Sequence, residues 1–287
     1  MRESVGAVRV PRDVVRVSGN EATAYLQGQL SQDVAALEPG GSAWSFALQP
    51  QGKVDAWFRV SRVDDDFVLD VDEGAGSALT ARLERFKLRT EVQFEPLGWA
   101  MVALRGPLAA ETDLPDAPVA HDPGWPGIAG VDVLGPGTGV LDAVPLCELE
   151  AYEWLRIEAG VPAMGRELTE EIIPAESGVV ERSVSFTKGC FTGQELVARI
   201  DSRGGNVPRH LRGLVLSGDE PPEPGSTVRS DDQEVGSVTS SGRSPALGAA
   251  TALAYVKRAV EPGATVSVGA GGSETTAQVC ELPIVGR

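Results

Sequence analysis

The chain has 287 residues and a formal net charge of -16, from 25 Lys and Arg against 41 Asp and Glu. That balance excludes broad binding to a phosphate backbone, which needs surplus cations to displace counterions, so no direct nucleic-acid partner is expected. Hydrophobic residues at 42% and charged residues at 23% describe an ordinary globular protein with room for more than one domain.

The start, MRESVGAVRVPRDVVRV, lacks the apolar core of a secretory signal, and no apolar run is long enough to span a bilayer. A cytoplasmic location without a membrane partner is the expectation. Val8, Val10, Val14 and Val17 read as strand. Ser18 and Glu21 have capping-box spacing before a short helix whose apolar face is Ala22, Tyr25, Leu26 and Leu30. WSFAL and KVDAWFRV read as strands around a turn at Gly52, and DFVLDV as a third. Leu79, Leu83 and Phe86 have helical spacing, and VQF and WAMVAL are further strands. Residues 106–145, rich in Gly, Pro and Asp, read as a loop-rich crossing with one strand at 128–134. A helix from about Leu146 to Ala159 ends at Gly160, and residues 165–178 read as extended or loop. From Leu214 onward, six short strands punctuated by Gly and Pro predict a small antiparallel barrel or sandwich, with hairpin connections at Pro221-Pro222 and Gly271-Gly272.

KGCFTGQELVARI, Lys188 to Ile200, carries the most chemistry. Thr192 and Glu195 have capping-box spacing, which puts Cys190 near the positive end of a helix and beside the Lys188 ammonium. Such surroundings favour a thiolate; packing as a small hydrophobe is the plain alternative. Cys147, Cys190 and Cys280 are too dispersed for a disulfide framework or a zinc site. With only His121 and His210 as imidazoles, no metal centre is expected. In EAYEWLRIEAGVP, Trp154 and Glu158 share a helix face. An aromatic plane beside a carboxylate suits a flat heterocycle with adjacent N–H donors, such as a pterin or guanine; a core Trp beside a solvated Glu is the alternative. GPGTG at 135–139 lacks the form of a phosphate-binding loop.

Several segments together resemble the YgfZ-type folate-binding proteins, relatives of the glycine-cleavage T-protein (aminomethyltransferase). They are AYLQGQLSQDV, LQPQGKV, LRIEAGVPAMGREL, IPAE, KGCFTGQE and VGSVTSSGRSPALGAATALAYVKR. KGCFTGQE departs from the family's KGCYxGQE at Phe191.

The resemblance implies an α+β multidomain fold. Two interwoven α+β domains, 1–105 with the folate-binding region and 106–205 with KGCFTGQE, would join a C-terminal antiparallel β-barrel, 206–287, around a central opening. It implies tetrahydrofolate or a folate derivative as ligand, with Glu158 meeting the pterin ring and Trp154, Arg156 and Gln194 beside it. Cys190, with Lys188, would carry the chemistry, as a transient thiolate ligand or a redox-sensitive thiol. The T-protein's two acidic positions fall on Ala56 and Trp57, which speaks against aminomethyl transfer. The implied role is a folate-binding accessory protein in iron–sulfur cluster assembly or repair, with transient assembly proteins or clients as partners and a link to tRNA modification. A folate-dependent one-carbon or aminomethyl transferase, using Asp55 or another acid, is the alternative.

Overall fold

The structure, a computed structural model, describes residues 3–114, 116–137, 144–270 and 273–286. The Gly271-Gly272 turn and the last two residues of GPGTG lie outside the described residues. The first valine-rich stretch splits at Pro11 into β1 (Gly6–Val10) and β2 (Arg12–Ser18). Then come α1 (Ala22–Gln29), β3 (Ser42–Leu48), β4 (Val54–Val63), β5 (Asp66–Asp72), α2 (Gly76–Arg85), β6 (Gln93–Leu97) and β7 (Ala100–Arg105). The crossing carries β8 (Val119–His121) and β9 (Gly130–Gly135). It is followed by α3 (Leu149–Ala159), α4 (Val180–Ser183) and α5 (Gln194–Ser202). Strand β8 is three residues between Pro- and Asp-rich flanks, too short to leave a periodic signal.

Two antiparallel sheets interleave along the chain. One has the order β3-β4-β5-β2-β6; the other, β1-β7-β9-β8, takes β1 and β7 from either side of the first. The last part, β10 (Arg209–Leu216), β11 (Thr227–Ser230), β12 (Gln233–Ser244), β13 (Ala249–Lys257), β14 (Thr265–Ala270) and β15 (Ser273–Cys280), forms a closed antiparallel barrel. The expected six strands are all present. The fold is α+β, with multiple sheets and a barrel.

Strand alternation decides what each sheet buries. On the five-stranded sheet, Val15, Val17, Ala56, Phe58, Val60, Phe67 and Leu69 pack with Leu26, Leu30, Leu79 and Leu83 of α1 and α2. The opposite face carries Val14, Trp57 and Val68 into a second core shared with Val8, Met101, Ala103, Val119 and Leu134 of the other sheet and with Tyr152 and Leu155 of α3. Arg12, Arg59, Asp70 and Asp72 occupy the same alternation on that inner face. Arg105, His121 and Asp132 do so on the four-stranded sheet.

Both expected capping boxes are replaced. Ser18 ends β2 opposite Gln93. The chain turns at Gly19 (φ 115°), where a Cβ would meet the Glu91 carbonyl at 2.2 Å, and Glu21 accepts from the Glu91 N–H at 2.7 Å. Helix α5 is capped by Gly193 in the left-handed region, with no side-chain cap. Helix α3 ends as expected at left-handed Gly160.

Candidate functional site

Where the two inner faces meet α3, they enclose a cavity of about 300 Å³. One wall is the Trp44–Trp57 pair, stacked at 3.9 Å and 9°. Trp57 Nε1 donates to Ser183 Oγ at 2.9 Å and Trp44 Nε1 to the Pro123 carbonyl at 3.0 Å, which fixes both rings. Met164 closes over this wall, its N–H donating to Asp72 Oδ2 at 2.8 Å.

Charged groups share the rest of the lining with apolar side chains such as Val10, Met101 and Leu149. Arg12 donates to Asp70 Oδ1 at 2.8 and 3.1 Å and also to Asp72. Burial pulls this guanidinium down, but Asp72 and Asp70 outweigh it and hold it above its ordinary value. Arg105 donates to Asp132 at 2.7 Å and lies 4.2 Å from the Trp125 ring. Arg59 differs. Its Nε and Nη2 donate to one hydroxyl, Ser42 Oγ, at 3.2 and 3.0 Å, Nη1 is buried without a partner, and among the described residues it forms no ion pair. Burial holds Arg59 below its ordinary value. His121 is buried with both ring nitrogens unpartnered, the nearer 4.0 Å from Asp70 Oδ2; burial and Arg59 lower its pKa. Buried polar groups are nearly always satisfied. These nitrogens mark where the cavity can take a polar ligand.

The KGCFTGQE loop is a separate construction. The Lys188 ammonium donates to the carbonyls of Gln27, Leu30 and Gln32 at 2.7, 2.7 and 2.8 Å. All three of its donors therefore serve the C-terminal end of α1, where carbonyls lack helical partners. Burial pushes this ammonium down to about 8, with Asp33 opposing. Thr192 N–H donates to the Gly28 carbonyl at 3.1 Å, and Gln194 Oε1 accepts from the Phe191 N–H at 3.1 Å. Gly193 fits against the Gln49 carbonyl and Gly52 against Leu196, with no room for a Cβ at either. AYLQGQLSQDV, LQPQGKV and KGCFTGQE are thus one docked unit. Cys190 lies exposed on its surface. Among the described residues no group of three or more His, Cys, Asp or Glu could hold a metal ion.

Comparison with known proteins fits this architecture. Residues 209–285 match the glycine cleavage T-protein C-terminal barrel domain. Over 95% of its length the chain is 29% identical to an aminomethyltransferase of Streptomyces coelicolor, of which it covers 84%. It is 27% identical, over 78% of its length, to the tRNA-modifying protein YgfZ of Vibrio vulnificus, covering 73% of that protein. The chain is a homologue of the T-protein/aminomethyltransferase/YgfZ family. Its fold matches the crystal structure of the glycine cleavage system aminomethyltransferase T from Bartonella henselae with a TM-score of 0.85, covering 99% of this chain and 87% of that one at 24% identity.

Against that family background, the positions singled out in the sequence fall into three places. Arg156 lines the cavity, but its donors are spent on Glu153, Glu167, Ser240 and the Val161 carbonyl. Glu158 and Trp154 do share a face of α3, and that face meets the barrel. Trp154 packs against Gly242 of β12. The Glu158 carboxylate, fully buried, accepts from Ser244 Oγ and from the Ala246 N–H at 3.3 Å. Neither is among the residues lining the central cavity; Glu153 and Arg156 are the α3 charges that do so. Lys188 and Gln194 belong to the docked loop.

Glu158→Ala is therefore expected to lower stability by about 1–3 kcal/mol, because the Ser244 hydroxyl and the Ala246 N–H lose their buried acceptor. Denaturant titration measures this; an unchanged midpoint would contradict the barrel-linking role.

Arg12, Trp44, Trp57, Arg59, Asp70, His121 and Tyr152 line the cavity without belonging to any motif singled out in the sequence. The available signal was alternation: in WFRV and VLDVD, a Trp, an Arg and two Asp occur on one face of strands whose other face is wholly apolar.

Proposed function

We propose that the chain binds tetrahydrofolate, or a folate derivative, in the central cavity and serves as an accessory protein for iron–sulfur cluster assembly or repair. The observation that carries the folate reading is the cavity's chemistry: a fixed indole wall facing buried arginine, aspartate and imidazole groups, at the junction of three packed units. A reduced pterin offers a flat ring with adjacent donors and acceptors, which this lining complements. Kinship with aminomethyltransferases and YgfZ supports the same ligand class.

The iron–sulfur role rests on YgfZ-type resemblance and on the exposed thiol of Cys190. One thiolate does not hold a cluster alone, so Cys190 would act transiently, with a partner's thiols or a small thiol completing the ligand set. A bearing on tRNA modification would follow indirectly, through iron–sulfur enzymes.

Aminomethyl transfer is the second reading, favoured by the relatives' activity. Against it, Ala56 is buried in the helix-side core, Trp57 forms the cavity wall, and Asp55 pairs with Arg82 at 2.8 Å. The cavity's own acids include Asp70, Asp72, Asp132 and Glu153, all already engaged by arginines.

Anaerobic titration calorimetry with tetrahydrofolate tests the ligand, saturable one-to-one binding being expected and no heat of binding contradicting it. Cys190→Ala should change stability by less than about 0.5 kcal/mol, as an exposed substitution, and leave folate binding intact. In cells lacking the protein it should fail to restore iron–sulfur enzyme activity. Full restoration would remove the thiol from the account.

A further inference from the structure

Resting on the folate reading above, we infer that Arg59 and His121 form the floor that recognises the ring, taking the oxo edge of a reduced pterin and thereby selecting 4-oxo over 4-amino pteridines. Arg59 is 7% exposed, yet Nη1 has no partner; His121 presents two buried, unpartnered nitrogens to the same cavity. Arg59 stands opposite Asp70 in the β4–β5 register and His121 opposite Asp132 in the β8–β9 register, so the two sheets bring these groups to one end of the cavity.

The unpartnered donors decide what sort of ligand atom fits. Arg12 is paired with Asp70 and Asp72, and Arg105 with Asp132. Among the described residues Arg59 has no such carboxylate and its Nη1 has no partner, so it takes an acceptor, and the carbonyl oxygen of a pterin is one. Burial and the adjacent Arg59 lower the pKa of the imidazole, and its neutral form offers one donor and one acceptor. Asp70 Oδ2, 4.0 Å from His121 Nε2, supplies a further acceptor beside it. A reduced pterin presents its oxo oxygen between two ring N–H groups, an acceptor flanked by donors, which complements this set. The Trp44–Trp57 wall, with Arg59 5.4 Å from the Trp44 ring, gives the flat ring a surface to lie against.

The test is a ratio of dissociation constants. Wild type, Arg59→Met, Arg59→Lys and His121→Gln are titrated anaerobically with tetrahydrofolate and with its 4-amino counterpart, tetrahydroaminopterin, which replaces the oxo acceptor by an amino donor. A site built around a hydrogen bond rejects the ligand that cannot make it. Wild type should favour tetrahydrofolate by at least about tenfold, the loss of one charge-assisted bond. Arg59→Met should bring the ratio close to one, His121→Gln should reduce it, and Arg59→Lys should restore part of it. Thermal melts confirm folding, and Arg59→Lys and His121→Gln carry the test if Arg59→Met does not fold. Equal affinities in wild type, or variants that weaken both ligands alike, overturn the recognition role and leave folate binding standing. Binding of neither ligand by wild type overturns the folate reading and this inference together.

Discussion

Arg156→Met is expected to cost about 3–5 kcal/mol, the range for breaking a buried ion pair by removing one partner. The guanidinium is 3% exposed and joins three units: α3 through Glu153, the following loop through Glu167 and the Val161 carbonyl, and the barrel through Ser240. Burial pulls it down, but Glu167 and Glu153 outweigh that and raise it, so the charge is held firmly. The Met side chain fills a similar volume and leaves Glu167, which is 0% exposed, without its cation. Glu167 would still accept from the Ala163 N–H at 2.9 Å and from Ser240 Oγ at 2.6 Å, which limits the loss. Equilibrium unfolding in urea measures the effect. Arg156→Met combined with Glu167→Gln should recover part of it, since the orphaned charge is then gone. A loss below about 1 kcal/mol would show that the network is peripheral to the junction.

Lys188→Met is the second large effect, about 2–4 kcal/mol. It strips the donor from three carbonyls at the end of α1, and each buried acceptor left unmade costs on the order of 1–3 kcal/mol, partly offset here by water because the residue is only half-buried. The loss should be local as well as global. Amide exchange over residues 27–34 and 188–194 should quicken more than over the barrel, because the ammonium ties those segments together. Uniform exchange throughout would place Lys188 outside the docking of the two segments.

The barrel's strands were legible because they are short and separated by Gly and Pro; its closure was not, since β10 pairs with β13 and β15 rather than with β11 across the expected Pro221-Pro222 hairpin. The end of α3 was legible in Gly160. Glu158 and Trp154 show where sequence reasoning stops: helical spacing puts them on one face, and only tertiary packing says that the face meets β12. Lys188 shows the same limit, since its nearness in sequence to Cys190 gave no sign that three carbonyls from residues 27–32 would claim it. Arg59, Asp70 and His121 escaped notice because a charged residue on a strand resembles a solvent-facing one until a second sheet covers it. The place of the Trp57 indole in the cavity wall depends on Trp44 across the β3–β4 pair and on Ser183, neither of which its own segment reveals.

The most direct measurement is a crystal structure of the protein grown anaerobically with tetrahydrofolate. The expected result is a pterin ring in the central cavity against Trp44 and Trp57, its oxo edge toward Arg59 and His121, with Glu158 still bound to Ser244. A ring bound at the Glu158–barrel face, or a central cavity empty beside a ligand held elsewhere, would contradict it.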